Sequence, residues 1–152
     1  MRKGQVATEF LLYTGVFLFV VIAAFTAVSI IQKTEIGRHE SQLAKEMGGS
    51  FSDGMILAAH GGEGFNYTMT FPKFIMGRNY TIDFKAAQER GLVILDWQGS
   101  YAMISHAYTV PLYDYEYEGC IEQNDDRLIS SECKNEVTFY NTGEKVFVTQ
   151  RS

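Results

Sequence analysis

A run of 23 consecutive residues without a formal charge, from Phe10 to Gln32, constrains this chain more than any other feature. As a helix the run would span roughly 33 Å at a rise of ~1.5 Å per residue, and the hydrocarbon core of a bilayer is ~30 Å thick. Its length therefore fits a membrane crossing. Arg2 and Lys3 precede the run. Because cations favour the cytoplasmic side, we expect a cytoplasmic N-terminus and an extracytoplasmic chain after about residue 33.

Three interpretations differ in the fate of this apolar run. A secretory signal has a shorter apolar core of ~7–15 residues before a small-residue cleavage site. The weak match Ala27-Val28-Ser29 lies inside the run, with Ile30 and Ile31 following, so a cleaved signal ranks third. An uncleaved anchor is consistent with the composition. The remaining interpretation gives the run a role in assembly, and it starts from the one carboxylate beside it.

Glu9 stands at the cytoplasmic edge of the apolar run. A carboxylate near hydrocarbon costs several kcal/mol unless it is paired or protonated. Arg2 and Lys3 are seven and six residues away, which does not match the i, i+3 or i, i+4 spacing of a helical ion pair. A cationic partner from another chain would satisfy this carboxylate.

The first 30 or so residues resemble a known family. They comprise a basic leader ending in glycine, a glutamine, a small residue, a glutamate and an apolar helix: Lys3-Gly4, Gln5, Ala7, Glu9 and Phe10 onward. This pattern resembles that of archaeal type IV pilin-like proteins with a class III signal peptide, which include prepilins and archaellins. The chain departs from the family at Ala7, where serine is usual, and at Tyr13, where leucine is often found.

The resemblance implies processing and assembly. A membrane-embedded prepilin peptidase would cut between Gly4 and Gln5, so that Arg2 and Lys3 leave with a leader of residues 1–4. The new α-ammonium of Gln5 would then pair with Glu9 of a neighbouring subunit, which makes burial of both charges tolerable. The implied partners are the membrane, other pilin subunits in a homo- or hetero-oligomer, the peptidase, and an assembly platform with its ATPase.

The helix is expected to continue well beyond the apolar residues 10–32. Apolar positions spaced by seven, four, four and four residues alternate with charged ones, which is typical of an amphipathic helix: Ile36, Leu43, Met47, Phe51 and Met55. We therefore expect one helix from about Gln5 to Ala59, within a helical domain of residues 5–60, with a bend near Gly48-Gly49. Gly61-Gly62 would end it.

From Phe65 the pattern changes to short runs rich in aromatic and β-branched residues, which are typical of strands. The predicted strands are residues 65–71, 79–84, 92–97, 101–117, 136–140 and 145–149. They form a head of residues 65–152, large enough for a β-sandwich or small barrel. The predicted class is α+β: a long N-terminal helix, with a transmembrane half and an amphipathic half, followed by an antiparallel β-sandwich or small barrel.

Two features of the head suit an extracytoplasmic location. Cys120 and Cys133 are the only cysteines, and outside the cell a disulfide is favoured over two free thiols. Closing this loop would stabilise the head by ~3 kcal/mol. The sequons beginning at Asn66 and Asn79 make surface glycans plausible.

Two further patterns have a plain and a sharper interpretation. Tyr113-Asp114-Tyr115-Glu116-Tyr117-Glu118 alternates tyrosine with acid, which favours a half-buried strand over a tyrosine surface for subunit packing or adhesion. Four residues of the disulfide loop could offer oxygens to calcium: Glu122, Asn124, Asp125 and Asp126. Their spacing does not match a calcium loop, so a solvated acidic turn is favoured.

The composition argues against other function classes. With 13 basic and 18 acidic side chains and no basic cluster, a nucleic-acid partner is not expected. No catalytic motif is present, and His39, His60 and His106 are single histidines that do not match the spacing of a metal-binding motif, so we expect no enzyme, cofactor or metal. The favoured hypothesis is a major or minor pilin of an archaeal surface filament, with adhesion as one role. The alternative is a single-pass anchored β domain that binds a ligand without polymerising.

Overall fold

The computed structural model describes residues 2–151, with side chains from Thr8 to Arg151. The chain divides into two compact units, residues 1–38 and residues 39–152, which we call the N-terminal unit and the head unit. Helix α1, Arg2–Gly61, supplies the N-terminal unit and the first part of the head unit. Gly62 follows it with φ +77°, a left-handed conformation that ends helices and that glycine adopts without strain.

Helix α1 remains helical through Gly48 and Gly49, the pair at which the sequence predicts a bend. Gly48 leaves room for the side chain of Tyr108, because a Cβ at this position would lie 2.2 Å from the Tyr108 ring. The Tyr108 hydroxyl donates to the Lys45 carbonyl at 2.9 Å. The missing side chain at Gly48 thus allows a strand of the head to approach the helix backbone.

The described residues of the head unit, 39–151, form eight strands in two four-stranded sheets. The strands are β1 Asn66–Thr70, β2 Tyr80–Asp83, β3 Leu92–Gln98, β4 Met103–Thr109, β5 Tyr115–Gly119, β6 Arg127–Ile129, β7 Glu136–Asn141 and β8 Val146–Gln150. One sheet has the order β1-β7-β8-β5 and the other β4-β3-β2-β6. Short helices α2, Lys85–Arg90, and α3, Cys120–Gln123, lie between strands. The α+β class and the two-sheet, largely antiparallel head are confirmed.

Three details of the head differ from the sequence prediction. The single strand predicted over residues 101–117 is wrong, because it divides into β4 and β5, which belong to different sheets. Pro111 lies between them and cannot donate to a ladder. The β5–β8 pair is parallel, whereas all other strand pairs described are antiparallel. The helices α2 and α3 and strand β6 were not predicted.

The second part of α1 forms a wall of the hydrophobic core. Phe51 is fully buried, with its ring centroid 5.5 Å from that of Phe71 and 6.5 Å from that of Phe84. Met55 is also fully buried, whereas Leu43 and Met47 are only half-buried at the margin. The buried face of the helix is therefore close to the predicted one.

Polar contacts fasten this part of α1 to both sheets. The Asn141 amide, fully buried, donates to the Ala58 carbonyl at 2.7 Å. The Ser52 hydroxyl donates to the Thr109 carbonyl at 3.1 Å. Ser41 Oγ lies 3.3 Å from His106 Nε2. These bonds satisfy polar groups in or near the core and fix the helix in one position on the sheets.

The buried carboxylate of Glu40 makes another polar contact between α1 and the rest of the head, near the start of the head unit. Glu40 is only 2% exposed, although it belongs to the charged face predicted from the sequence. Its oxygens accept the Ser100 backbone N–H at 3.1 and 3.0 Å and the Ser100 hydroxyl at short range. Ser100 lies in the turn between β3 and β4, so this carboxylate ties the start of the head unit to that hairpin.

Candidate functional site: the exposed apolar segment

The apolar segment, which we define as Phe10–Gln32, has no partner within the described part of the chain. Its 15 large hydrophobic side chains are between 47% and 74% exposed. Seven consecutive residues, Val16 to Ile22, are all large and exposed, so every face of two helical turns is apolar. A helix that is hydrophobic all round belongs in a membrane or in the middle of a larger assembly.

Threonine side chains inside the segment and just after it satisfy their own hydroxyl groups. Thr14 donates to the Phe10 carbonyl at 2.8 Å, and Thr26 to the Ile22 carbonyl at 2.8 Å. Thr34 makes the same bond four residues back at 3.0 Å. A hydroxyl that bonds within its own helix costs little in an apolar environment. A threonine inside a predicted helix indicates such a bond from the sequence, because the carbonyl four residues earlier is within reach of its hydroxyl.

The segment meets the length and composition requirements of a membrane span. Of the described residues, only α1 is long and apolar enough to cross a membrane, and none of its most apolar 18-residue window is buried. A signal sequence near the N-terminus meets the same requirements, as does the core helix of a soluble protein. The segment is thus one apolar helix of membrane-spanning length that is unpartnered within the chain.

Glu9 is exposed at the start of the segment and has no ion-pair partner among residues 8–151. The predicted leader cations Arg2 and Lys3 lie outside the described side chains, as do Gly4 and Gln5 at the predicted cleavage bond. The cleavage and the pairing of Glu9 with an α-ammonium therefore stay predictions.

Cys120 and Cys133 form a disulfide, with their Cα atoms 6.7 Å apart. Cys120 opens helix α3 next to the end of β5, and Cys133 precedes β7. The bond therefore closes the segment that carries α3 and β6 onto the first sheet. The Lys73 ammonium donates to the Cys133 carbonyl at 2.9 Å, which attaches a second loop to the same point.

The tyrosines of the alternating segment are used inside the head. Tyr115 is buried, and Tyr113 and Tyr117 are half-buried. Their hydroxyls donate to the carbonyls of Pro111, Gly143 and Phe84 at 2.8, 2.9 and 3.1 Å, respectively. Burial raises the pKa of Tyr115 to about 12. The half-buried strand is thus the interpretation supported over a tyrosine binding surface.

Two of the four loop residues that could offer oxygens to calcium, Asn124 and Asp125, have side-chain partners within the protein. Lys85 makes an ion pair with Asp125, and this hydrogen bond and charge lower the pKa of the Asp125 carboxyl. The Asn124 amide donates to Glu132 at 2.8 Å. Among the described residues, no group of three or more His, Cys, Asp or Glu side chains is arranged to hold a metal ion.

The remaining candidate residues are scattered over the head. Asn66 and Asn79, which begin the two sequons, are both exposed, at the start of β1 and just before β2. His39 and His60 are exposed, and His106 is half-buried.

The outer face of the first sheet also has an open groove of about 280 Å³. The groove is lined by Glu118, Tyr140, Thr142, Phe147 and Thr149. The Thr149 hydroxyl donates to the Glu118 carboxylate at 3.0 Å. No pattern in the sequence identified this groove, because its residues come together only when β5, β7 and β8 pair.

Comparisons of the sequence with known protein families and with curated proteins, and of the fold with solved structures, found no match.

Proposed function

We propose that this protein is a structural subunit, a major or minor pilin, of a type IV pilus-like surface filament. In this proposal a prepilin peptidase removes residues 1–4, the apolar segment packs into the filament core, and the head is displayed outside. One observation carries the proposal: an all-round apolar helix leads into a compact, disulfide-closed head, and the carboxylate at the start of its apolar segment has no ion-pair partner among the described side chains. The precursor would be a membrane protein with a cytoplasmic N-terminus.

The apolar segment needs to be buried. Burying a large apolar side chain contributes ~1.5–3 kcal/mol, so the 15 exposed large side chains of the segment represent more than about 20 kcal/mol. Such a helix does not remain in water. It leaves water either by entering a bilayer or by packing against other helices on every side, and a filament subunit does both in succession.

Glu9 favours the assembly over a plain anchor. Its carboxylate is exposed beside Phe10, which is itself 68% exposed, so both groups enter the same apolar surroundings together. In an uncleaved anchor the nearest cations of the chain are Arg2 and Lys3, whose spacing from Glu9 is not that of a helical ion pair. A second processed copy instead offers the α-ammonium of Gln5. Charge-assisted hydrogen bonds between the two would offset much of the cost of removing both from water.

The first test is the N-terminal residue and intact mass of the protein from its native membrane or surface fraction. We expect a start at Gln5 and a mass two hydrogens below that of the reduced chain. A start at Met1 would contradict processing and favour the simple anchored domain. A start near Ile30 would mean that the apolar segment is removed from the mature protein, which would contradict both the filament subunit and the anchored domain.

Assembly is tested separately, with cysteine introduced at Val16 and crosslinking in cells. We expect a ladder of multimers from Val16→Cys, and its loss when Glu9→Gln is added. The matched control is Glu35→Gln, which removes an exposed carboxylate of the same helix beyond the apolar segment and should leave the ladder unchanged. An unchanged ladder in Glu9→Gln would contradict the proposed charge pair.

A second candidate function is a ligand-binding domain on a single membrane anchor. It is favoured by the groove on the outer face of the first sheet, where Tyr140 and Phe147 lie beside the Glu118 carboxylate. This candidate predicts an intact N-terminus and no crosslinked ladder, so the two experiments above separate it from the filament subunit.

A further inference from the structure

Two neighbouring turns of the head unit expose four large apolar side chains. Phe74 and Met76 are each 54% exposed, Tyr101 57% and Met103 66%. We call these four residues the apolar tip. A cluster of this kind on a small, strongly acidic domain indicates a contact surface. Single exposed apolar residues are ordinary, whereas grouped ones mark sites of interaction.

Arg78 holds the two turns together. The first turn is closed by reciprocal backbone bonds between Ile75 and Arg78 at 2.8 and 3.1 Å. The second is closed by the Gly99 N–H, which donates to the Ala102 carbonyl at 2.9 Å. The Arg78 guanidinium donates to the Gln98 carbonyl at 3.1 Å and also to that of Gly99. The four residues of the apolar tip therefore lie on two turns that Arg78 joins.

The charge of these turns is opposite to that of the rest of the head. Residues 39–152 contain nine Lys and Arg against sixteen Asp and Glu. The two turns, residues 72–78 and 98–103, contain Lys73 and Arg78 and no acidic residue. Among the described side chains, the one carboxylate bonded to them is that of Glu40, which is buried, and both cations also donate to backbone carbonyls of the head. Exposed apolar groups beside cations are suited to the interface of a membrane with anionic headgroups, where each contributes to binding.

A short stretch of chain connects this surface to the apolar segment. The turn that carries Tyr101 is bonded through Ser100 to Glu40, the second residue of the head unit. Glu40 is the eighth residue after Gln32, the end of the apolar segment, so the chain limits their distance to ~28 Å even when fully extended. The length of the chain therefore allows the apolar tip to reach the lipid surface while the apolar segment is inserted.

We infer that the apolar tip rests on the anionic lipid surface of the membrane while the subunit is inserted, before assembly. The inference rests on the proposed membrane position of the apolar segment. Tyrosine and cationic side chains are favoured at this depth because their apolar parts reach the acyl boundary while their polar ends stay with the headgroups.

The test uses the full chain in vesicles of phosphatidylcholine and phosphatidylglycerol in equal amounts, with or without brominated acyl chains. The probe is Tyr101→Trp, read by quenching of indole fluorescence. The matched control is Leu112→Trp, a 69% exposed apolar position. Leu112 lies beside Gly91, at the other end of the β3–β4 ladder, ~20 Å from Gln98 and Met103. The native Trp97 is buried and gives the same background in both variants.

We expect bromolipid to quench Tyr101→Trp but not Leu112→Trp, and we expect less quenching in vesicles of phosphatidylcholine alone. Equal quenching of the two variants, or none of Tyr101→Trp, would overturn the inference. If neither bromolipid nor aqueous iodide quenches Tyr101→Trp, a second copy covers the tip and the lipid surface is the wrong occupant. Flotation with the vesicles is measured in the same samples. A chain that floats without tip quenching refutes the lipid contact alone, whereas one that does not float also refutes the proposed membrane segment.

Discussion

Removing the Glu40 carboxylate should weaken the head more than removing any exposed acid of α1. In Glu40→Ala, the backbone N–H and the hydroxyl of Ser100 both lose their acceptor. A hydrogen bond to a charged group contributes ~1.5–3 kcal/mol. Ser100 is itself exposed, so its N–H and hydroxyl can bond to water once the carboxylate is removed. We therefore use the lower value, ~1.5 kcal/mol, for each of the two lost hydrogen bonds. The expected loss of unfolding free energy is therefore about 3 kcal/mol.

The assay is urea unfolding of the full chain in detergent micelles, followed by the fluorescence of Trp97, the only tryptophan. Trp97 is 1% exposed and lies three residues before Ser100, so its emission reports on this hairpin. Glu40→Gln keeps the volume and one acceptor oxygen, and should lose about half as much as Glu40→Ala. The control is Glu46→Ala, an exposed acid on the same helix, with an expected change within about 0.5 kcal/mol. A loss in Glu40→Ala no larger than that of the control would refute the reasoning.

Three further predictions follow from the head. Exchange of both cysteines for serine should cost ~3 kcal/mol of unfolding free energy, measured by urea unfolding; an unchanged midpoint would contradict it. The raised pKa of Tyr115, about 12, means that the unfolded chain loses this proton first as pH rises above ~10. Stability should therefore fall between pH 10 and 12, and in Tyr115→Phe this fall should be smaller. Gly48→Ala should destabilise by ~1–3 kcal/mol, because its Cβ would meet the Tyr108 ring. Gly49→Ala has open space and should be neutral or stabilising, by up to ~1 kcal/mol; equal thermal melts would refute the contact.

The local features of the fold are those that the sequence could predict. The apolar segment is visible as a run without charges, and Phe51 and Met55 are visible as a helical face, because both patterns depend on residues close in the chain. Most strands follow from clusters of aromatic and β-branched residues. The disulfide follows from having only two cysteines.

Features that depend on distant residues were out of reach. Glu40 looks like part of a solvated face, because its donor, Ser100, is 60 residues away. Tyr101 and Phe74 look like ordinary strand and loop residues until Arg78 brings their turns together. The parallel pairing of β5 with β8 has no local signal, since parallel neighbours are set by the topology of the whole sheet.

The position of β8 has a consequence for the order of events during synthesis. This strand lies between β5 and β7 and pairs with both, so the first sheet cannot close until Gln150 has been made. The apolar segment ends at Gln32, more than a hundred residues earlier. At ~5–20 residues per second, the ribosome releases the apolar segment on the order of ten seconds before the head can complete its fold. In the proposed membrane topology, capture of the segment therefore comes first, and the head folds while already tethered.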